Sequence, residues 1–493
     1  MSEEVLRPAT ENPGLVGRIP DGVRRIHLLG VGGTGMGAFA ALLQAAGYEV
    51  SGSDENLYPP MSEMLPKWGI RAFSPYAPAN LDMAKPDLVV VGNVIRRVNP
   101  EAAAMRERAL PHVSFPQALG QLFLEARHSI VVAGTHGKTT TTSMAAQLLA
   151  AADRDPSVLV GGVAGNFGGN FHLGKGPEFV VEGDEYDTAY FDKGPKFLHY
   201  RPRTVIFTSC EFDHADIYRD TPHYESSFEK LMRLVPTDGL VLACASTEAP
   251  VRIARAHCRG KVETYSAQAG VDADWRAIDL RAGPEGTRFG VMRRCERLFD
   301  AVLPLGGRHN VENALGAIAA GLSRGASPDA LVRGLAGYSG VKRRQEVRGE
   351  LGGVKVIDDF AHHPTAVRET IDAVAGRNPG RRIVAVFEPR SNTSRRSLHH
   401  AEYARSFGGA GLAVLAAPQK HDKVPENDRL DVEKLCADIA ASGTPAHAFA
   451  DTDDILRFVL SEAKKGDVLL VMSNGAFGGL IGRLLAGLEA RSR

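Results

Sequence analysis

The 493-residue chain has little that would tie it to a membrane, a polyanion or an oxidising compartment. Its five cysteines, Cys210, Cys244, Cys258, Cys295 and Cys436, are odd in number and widely spaced, with no CxxC pair. That argues against a disulfide framework and a structural zinc site, and for reduced thiols in a cytosol. Lys plus Arg number 58 and Asp plus Glu number 58, so the net charge is zero and nucleic acid is not a predicted partner. No apolar run approaches the roughly 18–20 residues that span a bilayer. Residues 1–17 hold no apolar signal-peptide core. A cytoplasmic protein with no membrane partner is expected. Hydrophobic residues at 44% and charged residues at 24% exclude disordered and fibrous classes.

Glycine is plentiful, at 53 residues, and much of it follows short apolar runs. RRIHLLG leads into VGGTGMGAFAALLQAAGYEVSGSD, a strand, a tight turn, a helix and a strand. The helix carries Phe39, Leu42, Leu43 and Ala46 at helical spacing. HSIVVAGTHGKTTTTSMAAQLLAA repeats that order. Further strands are predicted at PDLVVVG, HVSF, FVVEGDE, TVIFTSC and GLVLACA, and later at VKVIDDF, RRIVAVFEP, AGLAVLAAP and DVLLVMS. Residues 240–305 hold short alternating pieces, KVETYSA among them, that suit an antiparallel addition to the central sheet. A helix is predicted from Asn310 to Leu322, and Pro364 suits the first turn of another. At roughly 100–200 residues per domain, the chain reads as three consecutive α/β domains.

The strongest chemical signal is Gly134-Thr135-His136-Gly137-Lys138-Thr139-Thr140 between a strand and a helix. Glycines let backbone N–H groups curl around phosphate, and the helix N-terminus adds partial positive charge. Lys138 can reach terminal phosphates and the Thr139 hydroxyl can hold Mg²⁺. Only two residues separate the glycines, so this is a shortened P-loop binding ATP. Gly30-x-Gly32-x-x-Gly35, followed by Asp54, is a second cradle for a diphosphate. FVVEGDEYD and CEFDHAD follow strands and supply Glu182, Asp184, Glu185, Asp187, Glu211, Asp213, His214 and Asp216. Carboxylates there suit a divalent ion near a triphosphate. In GRHNVENA, Asn310 suits either an adenine edge or a helix cap. Lys342-Arg343-Arg344 and DDFAHHP add arginines and a vicinal acidic pair. FEPRSNT and MSNGAFGG also follow strands, where α/β domains bind ligands.

Taken in order, GTHGKTTTT, the Glu182 and His214 segments, GRHNVENA, KRR and DDFAHHPTAV resemble the Mur ligase family of peptidoglycan-precursor enzymes. The resemblance spans residues 24–485. It implies a Rossmann-like N-terminal domain over 22–122, a central P-loop ATPase domain over 123–336 and a Rossmann-like C-terminal domain over 337–493. HLLGVGGTGMGAFA and VSGSD resemble the branch that binds UDP-N-acetylmuramate, through Gly32, Gly33, Thr34, Gly35, Met36 and Asp54. EGDEYD and FEPRSNT resemble the member of that branch that adds a peptide; the alternative is the member that adds L-alanine. The implied activity is ATP-dependent ligation of UDP-N-acetylmuramate to L-Ala-γ-D-Glu-meso-diaminopimelate through an acyl phosphate, in peptidoglycan recycling. Carried over residue by residue, Lys138, His214 and Arg344 are catalytic, and Thr139, Glu182 and His214 hold Mg²⁺. Asn310, Asn313, Arg344 and Asp359 join the P-loop in binding ATP, and Arg390, Ser391 and Asn392 bind peptide. Several family members carry a carbamylated lysine where this chain has Phe228, so none is expected. Two readings of other classes stay open: a nicotinamide dehydrogenase using Gly30–Gly35 and Asp54, and a nucleotide-binding regulator without turnover.

Overall fold

The computed structural model describes residues 12–59, 61–418 and 424–492. The amino-terminal stretch up to residue 11 therefore lies outside the described residues. Five strands form the first sheet: β1 (Arg25–Leu29), β2 (Glu49–Ser53), β3 (Arg71–Phe73), β4 (Leu88–Val91) and β5 (His112–Ser114). Their order is β3-β2-β1-β4-β5 and every pairing is parallel. The order reverses at β1, which opens a crevice at its C-terminal end. The glycine turn sits there, before the helix Thr34–Ala45. Phe39, Leu42 and Leu43 are buried on its inner face, while Ala46 is the C-cap residue.

The second sheet holds β6 (His128–Ala133), β7 (Ser157–Ala164), β8 (Gly169–His172) and β9 (Glu178–Gly183). A separate hairpin, β10 (Asp187–Ala189) with β11 (Asp192–Pro195), follows. The sheet continues with β12 (Thr204–Phe207), β13 (Leu240–Cys244), β14 (Lys261–Ser266), β15 (Trp275–Gly283), β16 (Gly286–Arg293) and β17 (Glu296–Leu303). Its order is β17-β16-β15-β14-β13-β12-β6-β9-β7-β8. Strands β6, β9, β12 and β13 are near-continuous buried runs, as parallel strands covered on both faces must be. The expected antiparallel addition is β15–β17. The KVETYSA segment is different: β14 pairs parallel with β13, because the helix Glu248–His257 crosses over between them.

The position of β6 between β9 and β12 decides the site. It brings the loops after all three strands to one sheet edge. The helix Lys138–Ala151 begins there and packs on the helix Arg308–Ser323 through small buried residues, including Ala145, Ala146, Ala314 and Ala317.

The third sheet comprises β18 (Glu346–Leu351), β19 (Val354–Asp359), β20 (Ile383–Phe387), β21 (Leu412–Ala416), β22 (Ala446–Phe449) and β23 (Val468–Met472), in the order β18-β19-β23-β20-β21-β22. Only the edge strand β18 is antiparallel. The helix Pro364–Arg377 has Pro364 in its first turn and buries Val367, Ile371 and Val374. Among the described residues, no helix is long and apolar enough to cross a membrane.

Phe228 is fully buried in an aromatic cluster. Its ring stacks on Phe207 at 4.9 Å and meets Tyr224 at 5.2 Å and Phe197 at 5.8 Å. A charged lysine has no place in that packing. The Phe228→Ala substitution is expected to cost roughly 3–5 kcal/mol, measured as a lowered urea midpoint of the wild-type unfolding transition.

Candidate active site

The Gly134–Gly137 turn needs glycine for steric reasons. Gly134 has φ +138°, and a Cβ there would stand 2.3 Å from Thr208 Oγ1 and 2.7 Å from Ser209 O. Gly137 is the αL N-cap at φ +79°, and its Cβ would stand 2.5 Å from Asn313 Oδ1. The His136 N–H donates to Ser209 Oγ at 2.8 Å. Thr135 Oγ1 donates to Glu211 O at 2.8 Å. The turn is thus bolted to the loop after β12 and set against the helix carrying Asn313.

Lys138 opens that helix. Its Nζ donates to Gly134 O at 2.5 Å and to Glu185 Oε1 at 3.0 Å. Glu185 is wholly buried and also meets His214 Nε2 at 3.0 Å. Burial works against the Lys138 charge, but Glu185, Glu182 and Asp184 outweigh it and hold its pKa above the ordinary value. Burial likewise works against the Glu185 carboxylate, and Lys138 and His214 outweigh it and lower its pKa. For His214, burial is outweighed by Glu185 and Asp213, and the imidazole pKa rises. His214 Nδ1 faces Tyr186 Oη at 2.8 Å. His214 itself sits at φ +57°, a conformation costing about 1–2 kcal/mol in a non-glycine residue. Its N–H donates to Asp213 Oδ1 at 2.7 Å, which fixes it.

Thr139 Oγ1 donates to Glu182 Oε1 at 3.0 Å. Two oxygens at that separation suit neighbouring ligands of Mg²⁺, whose octahedral edge is about 2.9 Å for bonds of 2.0–2.1 Å. The other Glu182 oxygen accepts from Gly161 N–H at 2.8 Å. His214 is engaged by Glu185 and Tyr186, so the structure brings Thr139 and Glu182 together and sets His214 with Lys138's partner instead. Thr140 is buried in the first helical turn.

Asn310 is not the helix cap: Gly307 is. Asn310 Nδ2 donates to Gly306 O at 2.7 Å and Asn313 Nδ2 to Asn310 Oδ1 at 3.3 Å, so the two amides form one buried chain against the P-loop. Arg344 lies over the Phe360 ring at 4.9 Å. It is flanked by Arg343 at φ +62° and Gln345 at φ +51°. Asp359 holds this strained turn: Oδ2 accepts from Gln345 N–H and Oδ1 from Ala361 N–H, both at 2.8 Å. Asp359 therefore holds the turn that carries Arg344, and each of its oxygens keeps capacity to accept a further bond. Arg343 donates to Ser473 O and Gly475 O at 2.6 Å each and ties down the same turn.

In the N-terminal crevice, Gly32 N–H donates to Asp54 Oδ2 at 2.8 Å, so Asp54 pins the turn. Gly33 is the helix N-cap, Thr34 and Gly35 begin the helix, and Met36 is buried. A Cβ on Gly35 would meet nothing within 4 Å, so packing in the protein does not demand a glycine there. Asn170 Nδ2 reaches Thr34 O at 3.3 Å from the central domain. In the C-terminal loop, Asn392 Nδ2 donates to Asp216 Oδ2 at 2.8 Å, and Ser391 Oγ caps its own turn at Ser394 N–H. These two fasten the loop, while Arg390 lies across Gly475 and is exposed. Sequence reading named Glu185 only as one of several strand-end carboxylates, without its tie to Lys138, and missed Tyr186 beside it.

Three family descriptions match the chain in succession: Mur ligase family, catalytic domain, over residues 25–127; Mur ligase middle domain over 132–321; and Mur ligase, glutamate ligase domain, over 343–475. A curated relative from Escherichia coli (strain K12) is 40% identical over 471 residues, covering 95% of this chain and 99% of that protein. The chain belongs to the Mur ligase family. That relative is named UDP-N-acetylmuramate–L-alanyl-γ-D-glutamyl-meso-2,6-diaminoheptandioate ligase. A crystal structure of a murein peptide ligase from Psychrobacter arcticus 273-4 is 34% identical, with TM-score 0.69 over 94% of this chain and 98% of that one. A UDP-N-acetylmuramate–alanine ligase from Thermotoga maritima has the higher TM-score, 0.76, but 24% identity over 95% of this chain and 100% of its own. That likeness shows the shared Mur ligase fold alone. With the family shown, the dehydrogenase and regulator readings fall away.

Removing the Glu185 charge leaves Asp213 alone to oppose the burial and the Lys138 charge that lower the His214 pKa. In Glu185→Gln, an NMR titration is expected to show the His214 imidazole pKa falling below its wild-type value. The same variant is expected to lose on the order of 10²-fold in turnover, because Lys138 loses its anchor. An unchanged His214 titration contradicts the pairing.

Proposed function

We propose that this Mur ligase joins the lactyl carboxylate of UDP-N-acetylmuramate to the α-amine of L-Ala-γ-D-Glu-meso-diaminopimelate, driven by ATP, in peptidoglycan recycling. The observation that carries this reading is the pairing of a complete phosphate cradle around Lys138 with near full-length likeness to relatives bearing that ligase's name. The five cysteines are free, which suits a cytoplasmic enzyme. The N-terminal crevice takes the UDP-sugar at Gly32–Met36 and Asp54. The central domain takes ATP, and the C-terminal loop around Arg390 takes the peptide.

A carboxylate is a poor acyl donor, because its leaving group would be an oxide. Its oxygen attacks the γ-phosphorus of ATP, ADP departs, and the oxide becomes a phosphate leaving group. Lys138 moves from Glu185 onto the transferring phosphoryl oxygens, and Arg344 approaches from the C-terminal domain; both neutralise charge that grows in the transition state. Thr139 and Glu182 would hold Mg²⁺, which when bound shares that charge. The amine then attacks the acyl carbon, the tetrahedral intermediate expels phosphate, and an amide remains. The raised pKa of His214 favours its protonated form and works against its serving as the base for that amine. Its position beside Glu185 suits orienting Lys138's partner. Contacts between the central and C-terminal domains, including Thr365 Oγ1 to Glu211 Oε2 at 2.7 Å, close the site and keep water from the acyl phosphate.

The alanine-adding alternative shares every step but the last nucleophile. Offered ATP, UDP-N-acetylmuramate and either the tripeptide or L-alanine, the enzyme is expected to release phosphate and form the ligated product with the tripeptide. Turnover with alanine alone overturns the choice. Lys138→Ala is expected to stay folded by circular dichroism and lose at least about 10³-fold in turnover; near-normal ligation by that variant refutes the role of the loop.

A further inference from the structure

Where the P-loop meets the C-terminal domain, two histidines gather around one carboxylate, and the steps of ligation assign that grouping no joint role. His136 Nε2 stands 3.4 Å from Glu211 Oε2, and His363 Nδ1 stands 3.5 Å from the same oxygen. The three ligand atoms all lie within 4.8 Å of one another. The His136 and His363 rings are 4.6 Å apart.

The His363 side chain is 7% exposed, and neither of its ring nitrogens has a hydrogen-bond partner. His136 Nε2 is also buried without one. His363 occupies the N-cap position of the helix Pro364–Arg377 yet makes no side-chain cap bond. Its ring is therefore turned into the cluster at the expense of the helix. Buried polar groups without partners are costly, and two unpartnered imidazole nitrogens converging on one carboxylate oxygen call for a ligand.

We propose that His136, Glu211 and His363 form a binding site for one zinc-class divalent cation, which staples the C-terminal domain to the central domain. Two imidazoles and a carboxylate suit zinc, cobalt or nickel and disfavour magnesium, which takes oxygen. In a tetrahedral site with bonds of 2.0–2.1 Å, ligand atoms stand about 3.3–3.5 Å apart. Both His–Glu separations already match that edge. Burial, reinforced by His136, keeps the His363 ring neutral by lowering its pKa. Burial works against the Glu211 carboxylate, but His136 and the Thr365 hydroxyl outweigh it and keep its pKa low. Thr365 Oγ1 donates to Glu211 Oε2 and fixes the carboxylate, as outer partners of metal ligands do. His399 stands behind His363, its ring 4.9 Å away and its Nε2 also buried and unpartnered.

His136 and Glu211 belong to the central domain and His363 to the C-terminal domain. A cation held by all three binds only the closed arrangement and shifts the population toward it. Product leaves by reopening, so an occupied site slows turnover. The site does not depend on which peptide is ligated.

The test uses the full chain, without ATP or magnesium, titrated with Co²⁺. A tetrahedral cobalt absorption band saturating near one ion per chain is expected, with a raised melting temperature. His363→Ala is expected to lose the band, and Glu211→Gln to weaken binding at least about 10-fold. Crystals of the wild-type chain soaked in Co²⁺ are expected to show the anomalous peak between the three side chains, a readout independent of how the variants fold. A peak elsewhere with none at this place, or a band unchanged in either variant, overturns the proposal.

Discussion

The buried contact between Lys138 and Glu185 is the interaction on which the rest of the site depends. Two charges shielded from water are expensive unless each meets several partners. Here Lys138 has the Gly134 and Thr135 carbonyls besides Glu185, and Glu185 has His214 and Tyr224 besides Lys138. The arrangement keeps a cation poised at the mouth of a helix whose dipole also favours phosphate. It also ties three neighbouring strands together, because Lys138 follows β6, Glu185 follows β9 and His214 follows β12. The crossing order of the sheet and the chemistry of the loop are one constraint.

The same logic extends outward. Glycines at 134 and 137 let Thr208, Ser209 and Asn313 approach the phosphate turn more closely than any side chain would allow. Asp359 and Arg343 spend their charges on holding a strained turn, and Arg344 is thereby presented above Phe360. The C-terminal domain reaches the central one through Thr365, Asn392 and Thr393. Side chains that look catalytic in sequence are here often supports for another group, as Asp359 and Arg343 are for the turn of Arg344.

Much of this was legible in the sequence, and the reasons are physical. Strands β6, β9, β12 and β13 are apolar runs bounded by turns, so their burial shows in composition. The edge strand β18, EVRGEL, and the short β22, AHAF, lack that signal because they are not buried on both faces. β7 hid behind its paired glycines, Gly161 and Gly162. Thr139 and Glu182 could be paired because both belong to strand-end motifs. The partnership of His214 with Glu185 could not, since EGDEYD offers four carboxylates and only the fold chooses among them. Asn310 was ambiguous between cap and contact until Gly307 took the cap.

The central claim is that the sugar carboxylate is activated by phosphoryl transfer at Lys138. It is tested most directly with UDP-N-acetylmuramate carrying ¹⁸O in its lactyl carboxylate, incubated with ATP and the tripeptide. The account predicts that one labelled oxygen per turnover appears in the released phosphate, found by mass spectrometry. Amide product formed with unlabelled phosphate would contradict it.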